Sequence, residues 1–406
     1  MTVRHLPIAD LSAAKPLLER ESRAIDRARR PIYAVWEVTL ACDLACKHCG
    51  SRAGAARPDE LSTEAALALV DSLADLGVKS VTLIGGEAYL RPDWLELIRS
   101  IRARGMGATM TTGGRGVTAV VAREAKAAGL EAVSVSVDGL RETHDGLRGR
   151  GSHDAARRAI DHLRTAGVDV GVNTQVNRQN LAELEEVFDF IAREGAYAWQ
   201  VALTVAMGRA ADRPELLLQP YHLDDLFPRL ASLAQRAQKS RIRLTRGNNV
   251  GYFGPFEEQF HFGSARDYAA GCPAGRLVIG IEADGTVKGC PSLPTQRWSA
   301  GTVAERDLKT IWERGTTLQR LRDKPTLWGY CATCYYASEC GGGCTWTADA
   351  TLGRPGNNPY CHHRVLELKK TGQRERLVHV ETAPGHPFDR GRFEIVLEPW
   401  LSETPD

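Results

Sequence analysis

From residue 31 onward the chain repeats one pattern: a short apolar run, a loop, then an amphipathic stretch. Candidate strands fall at 34–40, 80–84, 108–112, 132–137, 168–174 and 199–204. Each is rich in β-branched or apolar residues and is bounded by Gly, Asp or Asn. Helical stretches at 63–76, 92–104, 153–165 and 181–193 lie between them. Six strand–helix units in series, spaced by about 30 residues, are what right-handed βαβ crossovers need, and they predict a parallel α/β sheet. The sheet either closes partly, as a (β/α)6 barrel like a TIM barrel missing two units, or stays open and doubly wound.

The rest of the chain divides around this core of 31–210. Residues 1–30 read as a basic, helical lead-in, and 211–261 as a connector with one amphipathic helix near 221–238. A cysteine-rich domain follows over 262–372. The tail, 373–406, is expected to hold a short hairpin around 389–391 and then an acidic end.

A net charge of +2 gives no electrostatic reason to expect nucleic acid or a membrane surface as partner. The N-terminus, MTVRHLPIADLSAAKPLLERESRAIDRARR, has no apolar h-region. No run of about 18 apolar residues offers a membrane span. The ten cysteines are grouped, three at 42–49 and seven at 272–361. A disulfide framework belongs to small secreted chains, so a cytoplasmic protein whose cysteines bind metal is expected.

The first group reads T-L-A-C-D-L-A-C-K-H-C-G and follows the first strand. Iron–sulfur clusters take Cys thiolates, usually four, and a loop that offers three leaves one iron open to substrate or cofactor. Structural zinc is the alternative, with His48 as a fourth ligand. The loop sits at the C-terminal end of a strand in an α/β array, where such folds place active sites.

The C-x3-C-x2-C run of Cys42, Cys46 and Cys49 resembles the signature of the radical S-adenosylmethionine (SAM) superfamily. Gly85-Gly86-Glu87, one βα unit later, is similar to that family's GGE motif. The resemblance implies a catalytic [4Fe-4S] cluster on the three cysteines and bound SAM. His48 would then lie beside the adenine, the glycines would let the backbone approach the methionine moiety, and Glu87 would take its ammonium. By the same resemblance Ser134 or Ser136, Asn173, Gln175 and Arg209 of the Gly208-Arg209 turn are candidate SAM contacts. Ordinary strand-end polarity is the competing explanation for each.

The later cysteines run Cys272-x12-Gly285-x4-Cys290, Cys331-x2-Cys334-x5-Cys340-x3-Cys344, then Cys361. This spacing resembles the SPASM extension of radical SAM enzymes, which carries one or two auxiliary [4Fe-4S] clusters. The family pattern assigns Cys331, Cys334, Cys340 and Cys361 to one cluster. It assigns Cys272, Cys290 and Cys344 to the other, whose fourth ligand is open. Sulfatase maturases have an Asp after the G-x4-C cysteine, and here that residue is Pro291.

The family implies a 5′-deoxyadenosyl radical that takes hydrogen from an unactivated carbon, in an oxidoreductase that modifies a ribosomally made peptide. An external electron donor of flavodoxin or ferredoxin type is implied as well. The lead-in is too short for a peptide-recognition domain, so a separate recognition protein is expected. The W-E-V-T run at 36–39 also resembles radical SAM enzymes of tetrapyrrole metabolism, so haem biosynthesis is an alternative. A non-catalytic iron–sulfur carrier and a zinc-stapled structural protein are the remaining alternatives; the GGE loop argues against the carrier, which has no need of SAM.

Overall fold

A computed structural model describes residues 29–247, 250, 253–260 and 272–400. The lead-in up to residue 28, the first residues of the cysteine-rich segment and the acidic end lie outside these. The core opens with β1 (Tyr33–Thr39), whose Ala34, Trp36 and Val38 are fully buried on one face. Glu37 and Thr39 are buried on the other, as a central parallel strand requires. Then come α1 (Thr63–Leu76), β2 (Ser80–Gly85), α2 (Trp94–Ala103) and β3 (Gly107–Thr112). Next are α3 (Ala119–Ala128), β4 (Ala132–Ser136), α4 (Arg141–Arg148) and α5 (Ser152–Thr165). The core continues through β5 (Asp169–Val176), α6 (Leu184–Arg193) and β6 (Ala198–Leu203).

Helix ends follow the local chemistry. In α1 the Ser62 hydroxyl accepts from Ala65 N, and Gly77 closes the helix at φ +96°. Helix α3 is capped the same way by Thr118 and Gly129.

The six strands stand in sequential parallel order, and the sheet extends past both ends of the predicted set. After α7 (Leu223–Lys239), the connector adds β7 (Arg243–Arg246), parallel to β6. The cysteine-rich segment adds β8 (Val278–Ile281), parallel to β1, and β9 (Val287–Lys288), antiparallel to β8. The order is β7-β6-β5-β4-β3-β2-β1-β8-β9, and among the described residues no pairing joins β7 to β9. The result is a partial barrel whose sheet carries part of the cysteine-rich segment on one edge.

A buried charge network ties that edge down. Arg57 Nη2 donates to Glu37 Oε1 at 2.9 Å and to Glu282 Oε2 at 2.8 Å. Lys288 Nζ, fully buried, lies 2.6 Å from Glu282 Oε1. Burial pushes the Glu37 carboxyl up to about 7, against the pull of Arg57. Buried charges persist in such a place only when paired, and here each cation has its carboxylate.

The C-terminal region continues with α8 (Leu308–Arg314), α9 (Thr316–Arg322), α10 (Thr345–Leu352) and α11 (His362–Lys370). The tail forms the antiparallel hairpin of β10 (Gln373–Glu381) and β11 (Arg392–Pro399). Its connecting loop reaches back to the core: Phe388 packs with Val205, Met207 and Ala350, and Asp389 O accepts from Gly208 N at 2.9 Å. Among the described residues no helix is long and apolar enough to cross a membrane.

Candidate functional site

The loop that carries Cys42, Cys46 and Cys49 leaves the C-terminal end of β1 and is closed at its neck. Cys42 N donates to Gly54 O, and Gly54 N to Leu40 O, each at 2.9 Å. Three other strand ends of the sheet grip it. From the end of β6, Arg209 donates through N to Cys49 O (3.0 Å), through Nε to Cys46 O (2.8 Å) and through Nη2 to Ala53 O (3.1 Å). Gly208 sits at φ +57°, and a Cβ on it would stand 2.4 Å from Cys49 O. The Gly208-Arg209 turn is thus a clasp on the cysteine loop, a role its sequence did not suggest.

Gly85 and Gly86 grip the loop from β2. A Cβ on Gly86 would lie 1.8 Å from Ala41 O, and one on Gly85 2.5 Å from Thr39 O. Glu87 N donates to the same Ala41 O at 2.8 Å. The glycines are therefore required by the close approach of two protein loops, whatever ligand lies beyond them. This contact aims Glu87 inward, where it is 3% exposed. Its carboxylate accepts from Thr112 Oγ1 at 2.5 Å and from Gly113 N at 2.7 Å. Burial pushes it up to about 7, and those two donors offset part of the rise. Asp43 stands beside it, held by the Tyr89 hydroxyl at 2.8 Å.

The third grip comes from the β4 end and α4. Asp138 is fully buried and takes Arg148 Nε on Oδ2 at 2.6 Å. His48 Nε2 lies 2.8 Å from the same oxygen, in a close polar contact without hydrogen-bond alignment. Burial alone would raise the Asp138 carboxyl, yet Arg148 and His48 hold it well below the usual carboxylate range. Arg148 Nη1 reaches the Cys46 sulfur at 3.7 Å. Burial raises the Cys46 thiol and Arg148 opposes the rise. Sequence reasoning missed Asp138 and Arg148, because an isolated charge at a strand or helix end carries no periodic signal.

The remaining candidates share one face of the sheet. Ser136 pairs in register with Asn173, and Asn173 with Gln200. Ser134 and Gln175 lie two residues away on the same side of their strands. Ser136 is buried, and Ser134, Asn173 and Gln175 are half-buried. Gln175 N donates to Asp138 Oδ1 at 2.8 Å, which joins this face to the Asp138 network.

The late cysteines separate into two places. Cys331, Cys334, Cys340 and Cys361 line one small cavity with Tyr330, Tyr336 and Arg364. Cys272, Cys290 and Cys344 line another, of about 170 Å³, against Gln200 and Ala202 of β6. Burial pushes Cys344 and Cys361 up to about 12 and Cys290 and Cys340 up to about 11, so ligation there must displace protons.

Around one tetrahedral zinc with Zn–S of about 2.3 Å, sulfurs lie about 3.8 Å apart. Among the described residues no three cysteine sulfurs lie within 4.8 Å of one another; the single convergent ligand group is Cys42, Asp43 and Glu87. His48 belongs to no such group and is engaged by Asp138. No group of three thiols among the described residues is drawn together around one point as ligands of a single zinc ion would be.

Comparison with known proteins agrees. Residues 36–191 match the model of the radical SAM superfamily, and residues 272–335 match SPASM, an iron–sulfur cluster-binding domain. The chain is 33% identical over 355 residues to mycofactocin maturase MftC of Mycolicibacterium smegmatis, covering 85% of each chain. It is 31% identical over 348 residues to the AdoMet-dependent heme synthase of Methanosarcina barkeri, covering 82% of this chain and 97% of that one. The fold is shared with anSMEcpe with bound AdoMet (TM-score 0.66, 15% identity, 84% of this chain and all of that one). It is shared too with Streptococcus suis SuiB bound to precursor peptide SuiA (TM-score 0.62, 17% identity, 83% and 76%). The chain belongs to the radical SAM superfamily: it is an enzyme that uses S-adenosylmethionine and a [4Fe-4S] cluster, with auxiliary clusters in a C-terminal SPASM domain.

Proposed function

We propose that the enzyme oxidatively modifies a peptide, by a crosslink, a thioether or a decarboxylation. The observation that carries this reading is the similarity to a maturase over 85% of the chain together with three separate cysteine groups. When bound, SAM and its cluster supply a 5′-deoxyadenosyl radical, which takes hydrogen from an unactivated carbon.

In this reading Cys42, Cys46 and Cys49 hold the catalytic cluster, and the clasps of Arg209, Gly86 and Arg148 keep their loop in one conformation. Glu87, hydrogen-bonded by Thr112 and Gly113, takes the SAM ammonium. His48 is fixed by Asp138 beside the adenine position. Ser134, Ser136, Asn173 and Gln175 line the open face with polar groups that SAM or substrate can use. Cys331, Cys334, Cys340 and Cys361 hold one auxiliary cluster, and Cys272, Cys290 and Cys344 a second. We further propose a flavodoxin- or ferredoxin-type donor, a separate peptide-recognition protein and a cytoplasmic location.

Net oxidation is favoured over epimerisation because all ten cysteines have a place in the three groups. None is left as a thiol that returns hydrogen to the substrate. The test is mass spectrometry of peptide after turnover in deuterated water. Loss of two hydrogens per crosslink, or of a carboxyl group, supports the proposal. An unchanged mass apart from one deuterium at an α-carbon refutes it.

A tetrapyrrole substrate is the second reading, favoured by the 31% identity to a heme synthase. The W-E-V-T run adds little to it: Glu37 is explained by its pairing with Arg57.

A further inference from the structure

Between the two groups of late cysteines lies a cavity of about 670 Å³. Cys272 of one group and Cys340 of the other both line it. Five cations face it, Arg276, Arg297, Arg320, Lys324 and Arg354, against two carboxylates, Asp323 and Glu339. Among the described residues only one of the five has a carboxylate partner, Arg297 with Asp349 Oδ1 at 2.7 Å.

The other four are positioned without being neutralised. Lys324 Nζ donates to Ser338 O and Arg320 Nη2 to Arg297 O, each at 3.1 Å, and Arg276 donates to Arg322 O. The Arg320 guanidinium lies 4.4 Å from the Trp298 ring centre, and that of Arg354 lies 3.8 Å from the Trp328 ring centre. A carbonyl or an aromatic face fixes a guanidinium in place and leaves its charge uncancelled. Four such charges against the two lining carboxylates leave a net positive potential focused into this concave space. The volume is in the range of about 300–1,000 Å³ that holds a small molecule or a short peptide segment, well beyond one inorganic anion. Several separated cations call for several anionic groups on one ligand, and guanidinium pairs best with carboxylate or phosphate in its plane.

We propose that this cavity binds a ligand carrying several carboxylates. Resting on the peptide reading above, that ligand is an acidic stretch of the substrate, since an unmodified peptide carries carboxylates and no phosphate. The stretch would be held beside the auxiliary sites while another part of the peptide occupies the barrel.

The test uses anaerobic, cluster-loaded full-length enzyme and fluorescein-labelled hexaglutamate, with hexaglutamine as control, read by fluorescence anisotropy. Hexaglutamate should bind and hexaglutamine should not. Replacing Arg320→Ser and Arg354→Ser together should weaken binding by about tenfold or more, with iron content and SAM cleavage unchanged. The Arg320→Lys and Arg354→Lys pair should weaken it less than the serine pair, since the charge is kept while the planar, stacked fork is lost. Equal binding of hexaglutamine, or undiminished binding by the serine variant, overturns the site. Binding of butanetetracarboxylate without binding of hexaglutamate keeps the polycarboxylate site and overturns the peptide as its source. Turnover of a peptide by enzyme that binds neither probe overturns the site and leaves the peptide reading standing.

Discussion

Arg52 Nε donates to Asp389 Oδ1 at 2.8 Å, joining the cysteine loop to the tail across 337 positions of sequence. Arg52 sits three residues after Cys49, in the left-handed region at φ +52°, and also pairs with Asp212. Asp389 is 6% exposed in its side chain, so this is a largely dry contact. Hydrogen bonds to charged groups contribute about 1.5–3 kcal/mol. Asp389→Ala is expected to lower stability by about that amount and to speed loss of iron from the first cysteine group, leaving the auxiliary iron in place. Thermal unfolding and timed iron release measure both; equal release from all groups would contradict the assignment.

Glu87 and Gly86 can be tested separately. Removing one partner of a desolvated charge pair typically costs about 2–5 kcal/mol, so Glu87→Ala should weaken SAM binding strongly while iron content holds. Gly86→Ala places a methyl group on Ala41 O, a backbone atom that cannot swing aside. Overpacking of this kind costs about 1–3 kcal/mol, and it should disturb the cluster as well as SAM. Calorimetric titration of SAM and iron analysis on both variants separate the two effects; unchanged SAM affinity in Glu87→Ala would remove Glu87 from the site.

The sequence was legible where chemistry sits in a contiguous run. The cysteine spacings and the GGE motif need no partner to be read, and α1 shows both of its caps, Ser62 and Gly77. Strands β1 to β6 stood out because each is a β-branched or apolar run between loop residues. Strand β7, with Arg at both ends, did not, since an edge strand half open to solvent carries little apolar signal. Helix α3 buries only Ala122, Ala125 and Ala128, too small a stripe to register as amphipathic. Contacts made across the fold were illegible for a different reason. Nothing near Arg209 indicates that Cys46 O is its partner 163 residues away.

His144 predicts how stability depends on pH. It is fully buried, and Asp138 N donates to its Nδ1 at 3.1 Å, which requires a neutral ring. Burial, reinforced by Arg148, lowers its pKa to about 3. The unfolded chain takes up a proton below about 6.5 and the folded one does not until about 3, so stability is full above about 6.5 and falls as pH drops through that window. Urea unfolding should show a loss of about 2 kcal/mol between about pH 7 and about pH 5, beyond that of His144→Gln. Parallel curves for the two proteins would contradict it.

The most direct measurement compares wild-type enzyme with a Cys42→Ala, Cys46→Ala, Cys49→Ala variant, both anaerobic and reduced, for iron and for 5′-deoxyadenosine formed from SAM. Two or three four-iron clusters predict about 8–12 irons in the wild type and about four fewer in the variant. The wild type should release 5′-deoxyadenosine and the variant none. Stoichiometric zinc in place of iron, or undiminished 5′-deoxyadenosine from the variant, would contradict the account.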